Sequence, residues 1–198
     1  MKDESPSIPR GCLDRLSIEP VRYLGGRANQ HWLVEARGVR LVLRSYRDES
    51  LAGVGFEHEV MLRLHGSGWP VPELVGDPIY EADRTWCLFT FLPGESLEET
   101  GPDERRARGR LLAELHESTA SFTDMGQRNG FFKADEVIRD PELLPAIRGY
   151  ERLCPEVGHL LRWHLDKVLE CFDEMVLDDL PTVVLHSDFA PWNLLYDN

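Results

Sequence analysis

His186, Asp188 and Asn193 lie in the run HSDFAPWN, which places a histidine, a carboxylate and an amide in the pattern H-x-D-x-x-x-x-N. Such a set suits phosphoryl transfer, where the protein places a carboxylate beside an attacking hydroxyl and holds metal ions against phosphates, with no obligatory covalent bond of its own. In that chemistry Asp188 orients and deprotonates the acceptor hydroxyl, while Asn193 offers an amide oxygen to a magnesium ion. His186 takes a structural role, as a core histidine satisfied by backbone hydrogen bonds. Three fixed positions arise by chance in about 1 in 100 chains of this length, so the surrounding segments must decide between chemistry and plain loop capping. A metal-dependent hydrolase using His186 and Asp188 would need further converging ligands, and His58, His65, His116, His159 and His164 form no motif that predicts them.

A loop of this kind needs a strand to deliver it and another to leave it. Val183, Val184 and Leu185 form a short apolar run before it, after Pro181, and Leu194 to Tyr196 begin a second run.

Upstream, the first ninety-odd residues read as strands around one helix and the remainder as mostly helix, with the change at Pro93-Gly94. Val21 to Leu24 and Trp32 to Glu35 flank the loop GGRANQ, and Val39 to Arg44 makes a third strand. Gly25 and Gly26 permit backbone geometries that aim successive N–H groups at an anion, and Asn29 can bond within the turn or to a phosphate. The same residues also make an ordinary hairpin. Arg44 closes the third strand, where a cation can face the α and β phosphates.

A helix is expected from about Phe56 to His65, with Phe56, Val60 and Leu64 on one stripe. Glu59 on that helix is a candidate partner for Arg44, Glu57 is its rival, and a surface pair of Glu59 with Arg63 is the simpler alternative. Trp86 to Leu92 is an almost wholly apolar strand; in a two-lobed kinase the connection after it presents backbone groups to adenine, here from about Thr90 and Leu92. Beyond the boundary, helices are expected from about Asp103 to Phe122 and from about Glu156 to Val176. The second carries a long apolar stripe read as core beneath the catalytic loop.

In order, LGGRANQHWLV, LVLRSYR, EHEVMLRLHGSGWPVPEL, LFTFLPGESL, LLAELHE and VVLHSDFAPWNLLY resemble the aminoglycoside phosphotransferase and choline kinase-like family, with its homoserine kinase-like branch. The resemblance implies an α+β, protein kinase-like two-lobed fold, with an ATP-binding lobe over residues 1–93 and part of a catalytic lobe over 94–198. It implies ATP and Mg2+ as cofactors and a small-molecule hydroxyl as acceptor. By position it makes Asp188 the catalytic aspartate, Asn193 a metal ligand, Arg44 the strand cation and Glu59 its partner. Arginine at position 44 departs from the common lysine, but its planar fork also binds phosphate.

Members of that family continue through a hairpin to a second metal-binding aspartate, and the sequence stops at Asp197-Asn198. The expectation is weak metal placement, little turnover, an unpaired edge at Leu194 to Tyr196 and a tendency to self-associate. An inactive nucleotide-binding or regulatory protein is the alternative.

Composition fits this class. The chain has 198 residues, 42% of them hydrophobic and 29% charged, as in soluble globular proteins. The opening segment MKDESPSIPRGCLDRL has no apolar region of the secretory type. Four widely spaced cysteines form no C-x-x-C pair, so reduced thiols and a cytoplasmic location are expected, with no membrane partner. A net charge of -13 argues against binding nucleic acid phosphates and suits a cationic acceptor.

Overall fold

The computed structural model describes residues 6–26, 29–47, 51–98, 101–128, 133–174 and 183–196. A short helix α1 (Arg10–Leu16) leads into strands β1 (Glu19–Gly25), β2 (Gln30–Ala36) and β3 (Val39–Tyr46). Helix α2 (Leu51–Gly66) follows, then β4 (Ile79–Glu81) and β5 (Arg84–Thr90). The remainder is helical: α3 (Pro102–Thr119), α4 (Ala134–Ile138), α5 (Leu143–Leu153) and α6 (Pro155–Glu174), ending in a single 3₁₀ turn over Pro191–Asn193.

The five strands form one sheet in the order β1-β2-β3-β5-β4, every pair antiparallel. Alternation along the strands divides the apolar residues between two faces. Trp32, Val34, Leu41, Leu43, Trp86 and Leu88 bury one face against Cys12 and Ile18, beside α1. Tyr46, Cys87 and Phe89 bury the other against Val54 and Met61 of α2. The α+β class with an antiparallel N-terminal sheet therefore stands as expected.

A third cluster joins Leu64 of α2 to Leu115 and Phe122 around α3, and Val184 and Phe189 pack onto it. Helix α2 thus serves two cores. Positions 54 and 61 face the sheet, and positions 60 and 64 face α3 and the HSDFAPWN loop.

The chain divides into two compact units, residues 1–125 with 183–198 and residues 126–182. The second contains the α5–α6 hairpin, in which Gly158 lies so close to the Glu151 backbone that a Cβ would overlap it. Ile147 and Leu165 are buried there. The α6 stripe read as continuous core is only partly so within this unit: Leu165 is buried, whereas Leu160 and Leu161 are exposed.

Two further expectations change. The 183–185 run is irregular rather than a strand; its Val184 carbonyl accepts the Thr119 hydroxyl at 3.3 Å. Tyr196 forms an isolated antiparallel bridge with Glu95, with backbone bonds of 3.0 and 2.9 Å. The edge expected to be unpaired therefore finds a partner just after Pro93-Gly94. Gly94, at φ 125°, makes this approach possible, since a Cβ there would sit 3.0 Å from that of Leu195.

Candidate functional site

The glycine loop sits at the end of the β1–β2 hairpin. Gly25 and Gly26 have φ of 99° and 128°, a region L-residues rarely enter. At Gly26 a side chain would also overlap the Asn29 carbonyl. Asn29 Oδ1 accepts the Arg47 backbone N–H at 3.2 Å, so its amide ties the loop to the end of β3. Gly25, His31 and Arg44 are register partners across β1, β2 and β3. At about 4.8 Å per strand, Gly25 stands roughly 10 Å from the Arg44 backbone at the same level of the sheet.

Arg44 is held from two sides. Its Nη1 donates to Glu57 Oε1 at 2.6 Å, and its guanidinium carbon lies 4.3 Å from the Tyr46 ring centroid. The Tyr46 hydroxyl donates to the same Glu57 oxygen at 3.1 Å. Between Glu57 and Glu59, the structure selects Glu57. Glu59 instead pairs with Arg63, at 2.8 Å along the same helix, which corrects its assignment as partner of Arg44. The reason is helical geometry: Glu57 lies on the stripe with Val54 and Met61 that faces the sheet, and a residue two positions further along points about 200° away. The stripe anticipated from Phe56, Val60 and Leu64 was the other buried face, toward α3. Val54, three residues before Glu57, and Met61, four after it, are the signal that would have located the pair.

The surroundings of Arg44 shift nearby protons. Burial, then the Arg44 charge, hold the His31 imidazole below its usual range, partly offset by a bond to the Gly25 backbone. Burial lowers His58 as well, against an opposing pull from Glu57. Burial pushes the Cys87 thiol, register partner of Arg44, up to about 12.

At the end of β5, the Thr90 N–H donates to the Glu73 carbonyl and its hydroxyl accepts the Glu73 N–H, both at 2.9 Å. The amide of Thr90 is therefore occupied within the fold, and Leu92 follows half-buried beyond the strand.

The loop residues form a second cluster. The Asp188 N–H bonds the His186 carbonyl at 2.8 Å across Ser187, whose φ is 65°. A non-glycine residue there costs on the order of 1–3 kcal/mol. Asn193 Nδ2 donates to both the carbonyl and the Oδ2 of Asp188, each at 2.9 Å. Only the NH₂ end of an amide can face a carboxylate, so the Asn193 oxygen is turned to the other side, where it can meet a cation. Both side chains are exposed. His186 is exposed too, edge-on to Phe189 at 5.4 Å, so it is not the buried core histidine anticipated. Phe189 and Val184 seat the loop on Leu64, Leu115 and Phe122. Arg63 braces this seat from α2 with a fork onto Asp124, at 2.5 and 2.9 Å.

The residues present fit a nucleotide phosphate better than a protein-only metal site. Arg44 Nε is buried and has no hydrogen-bond partner, an unmet donor on the strand that lies two places from Gly25 in the sheet register. Among the described residues no group of three or more His, Cys, Asp or Glu could hold a metal, which leaves the hydrolase reading without support. The Asn193 oxygen could serve as one ligand of a magnesium ion carried on phosphate oxygens, an ion whose usual protein ligands are carboxylates.

The phosphotransferase enzyme family model matches residues 19–198. A homoserine kinase of Zymomonas mobilis is 27% identical over 116 residues, covering 59% of the chain and 34% of the relative. The chain thus spans about a third of that relative's length. A thermostable mutant of aminoglycoside phosphotransferase APH(4)-Ia, crystallised with ADP and hygromycin B, superposes with a TM-score of 0.67 at 18% identity, covering 98% of the chain and 68% of that structure. Spectinomycin phosphotransferase APH(9)-Ia, in complex with ADP and spectinomycin, gives 0.59 at 14% identity, covering 98% and 67%. Both likenesses concern the fold.

Proposed function

The chain belongs to the phosphotransferase enzyme family, and on that premise we propose that it carries the nucleotide site and catalytic loop of an ATP-dependent kinase of small-molecule hydroxyls. The observation that carries this reading is Arg44, paired to Glu57 at 2.6 Å and stacked on Tyr46 with its Nε unpartnered, two strands across from Gly25 in the sheet register. Residues 1–93 act as the nucleotide lobe and 94–198 as part of the catalytic lobe.

In this mechanism the glycine loop and Arg44 bind and orient the α and β phosphates. Asp188 accepts the proton of the acceptor hydroxyl as its oxygen attacks the γ-phosphorus and the bridging bond to ADP breaks. Asn193 holds Asp188 in place through its NH₂ and offers its oxygen to magnesium. When bound, magnesium supplies neutralisation of charge on the phosphate oxygens. The backbone after β5, near Thr90 and Leu92, takes adenine. The acceptor is a small alcohol, with homoserine the first to try, and the surplus of acid side chains suits one bearing a cationic amine.

A second reading, a nucleotide-binding protein without catalysis, is favoured by the exposed Asp188–Asn193 pair, whose side chains bond each other. A cytoplasmic setting is proposed because the four cysteines are free; no helix among the described residues is long and apolar enough to cross a membrane.

Calorimetric titration of ADP with and without magnesium tests the reading, using the native chain and Asn193→Ala. Binding that magnesium strengthens in the native chain, with this gain lost in Asn193→Ala, is expected. Absence of nucleotide binding would sink both readings, whereas binding with no transfer to any hydroxyl would select the second.

A further inference from the structure

We propose that Tyr46 is a positioning residue that makes the seat of the strand cation specific for arginine; this rests on the nucleotide reading and deepens it. One carboxylate oxygen, Glu57 Oε1, receives both the Arg44 Nη1–H at 2.6 Å and the Tyr46 hydroxyl at 3.1 Å. The Tyr46 ring forms a floor 4.3 Å from the guanidinium carbon. Tyr46 is 0% exposed and packs with Val54, Cys87 and Phe89, so the floor cannot swing aside.

A planar guanidinium can lie over a ring and direct one edge to a carboxylate at the same time. An ammonium is a compact point charge on a flexible stem and has no plane with which to satisfy both contacts. The seat thus matches the residue found at position 44 rather than the lysine common in kinases. Arg44 also keeps its place although its buried Nε lacks a partner, a cost that the contacts to Glu57 and Tyr46 must offset. Burial raises the Tyr46 phenol well above its ordinary range, so its hydroxyl remains a donor to Glu57 at any working pH.

Tyr46→Phe keeps the ring and removes the hydroxyl; Arg44→Lys keeps the charge and removes the plane. Two readouts on the 198-residue chain separate the possibilities: proton exchange at the Arg44 Nε–H by NMR without nucleotide, and ADP affinity by calorimetry. Tyr46→Phe is expected to speed exchange and weaken ADP about fivefold, and Arg44→Lys to weaken ADP about tenfold or more, from the loss of charge-assisted bonds. Adding Tyr46→Phe to Arg44→Lys should cost no further affinity, whereas a merely structural tyrosine would cost the same in both backgrounds. Unchanged Arg44 exchange in Tyr46→Phe, additive losses, or native affinity in Arg44→Lys would overturn the proposal. If the native chain fails to bind ADP while Tyr46→Phe still frees Arg44, the nucleotide reading falls and the positioning role stands.

Discussion

The two clusters of candidate site residues are built on opposite principles. Arg44, Glu57 and Tyr46 are cross-linked by a shared carboxylate oxygen and backed by a packed core. Asp188 and Asn193 are exposed and hold chiefly each other, on a loop with positive φ at Ser187. The difference teaches which part is organised in advance. The proposed phosphate seat is set by folding, because breaking it disturbs the core. The proposed transfer pair is set locally, and can be altered with little cost to the fold. Helix α2 connects them, with Glu57 on one stripe and Val60 and Leu64 on the other.

That shared helix supplies the strongest way to break the contrast. Leu64→Ala removes a side chain that is 7% exposed and should cost about 3 kcal/mol in chemical denaturation. Amide exchange should then rise both in the 183–189 loop and around Arg44. A rise confined to the loop would mean that α2 does not couple the clusters.

Paired alanine substitutions sharpen the contrast. Arg44→Ala leaves the Glu57 carboxylate, 19% exposed, without its cation and should destabilise by about 2 kcal/mol. Asp188→Ala should stay within about 0.5 kcal/mol, as expected of an exposed position. Similar losses in equilibrium unfolding would contradict the division.

A smaller effect comes from acid. His31 and His58 are both held below the usual value of 6.5 in the folded chain. The unfolded chain therefore binds more protons once the pH falls below that value, so the stability contributed by the neutral forms is complete above pH 6.5 and declines as the pH drops through the folded values. Unfolding free energy should fall on acidification below pH 6.5, and His31→Gln with His58→Gln should flatten the decline. Any sensitivity arising instead from the loop would leave that slope unchanged.

The smallest effect is expected at Asp124→Asn. Its carboxylate is held below the usual range mainly by the Arg63 hydrogen bonds, but the pair is open to solvent. The shift in unfolding midpoint should be slight, visible at low salt and absent at high salt.

Much of the sheet was legible. β1 to β3 and β5 follow apolar runs rich in β-branched and aromatic residues, and Arg44 was found because it ends one of them. Glu57 was missed as first choice because the helix was started at Phe56, leaving Val54 outside and hiding the stripe toward the sheet. Helix α1 contributes the buried Cys12 from a segment with only sparse apolar residues, and β4 is three residues long, so neither has enough periodicity to stand out. Helix α5 (Leu143–Leu153) has no counterpart among the expected helices; Pro145 and Gly149 weaken its sequence signal, although Pro145 lies in the first turn, where a missing N–H costs little. Val183 to Leu185 has strand composition but bonds a helix side chain, and pairing depends on tertiary context that composition does not carry. The loop-capping alternative is met at Asn193 by its bond to the Asp188 carbonyl, whereas its bond to the Asp188 carboxylate was not foreseen, because spacing alone cannot distinguish an amide facing a metal from one that also clamps its neighbour.

The most direct test of the central claim is thermal unfolding of the native chain, Arg44→Ala and Asp188→Ala, each with and without ADP and magnesium. Ligand at about 100 times its dissociation constant should stabilise the native chain by roughly 2.7 kcal/mol. This gain should be lost in Arg44→Ala and kept in Asp188→Ala. A gain that survives Arg44→Ala, or one that vanishes in Asp188→Ala, would contradict the claim.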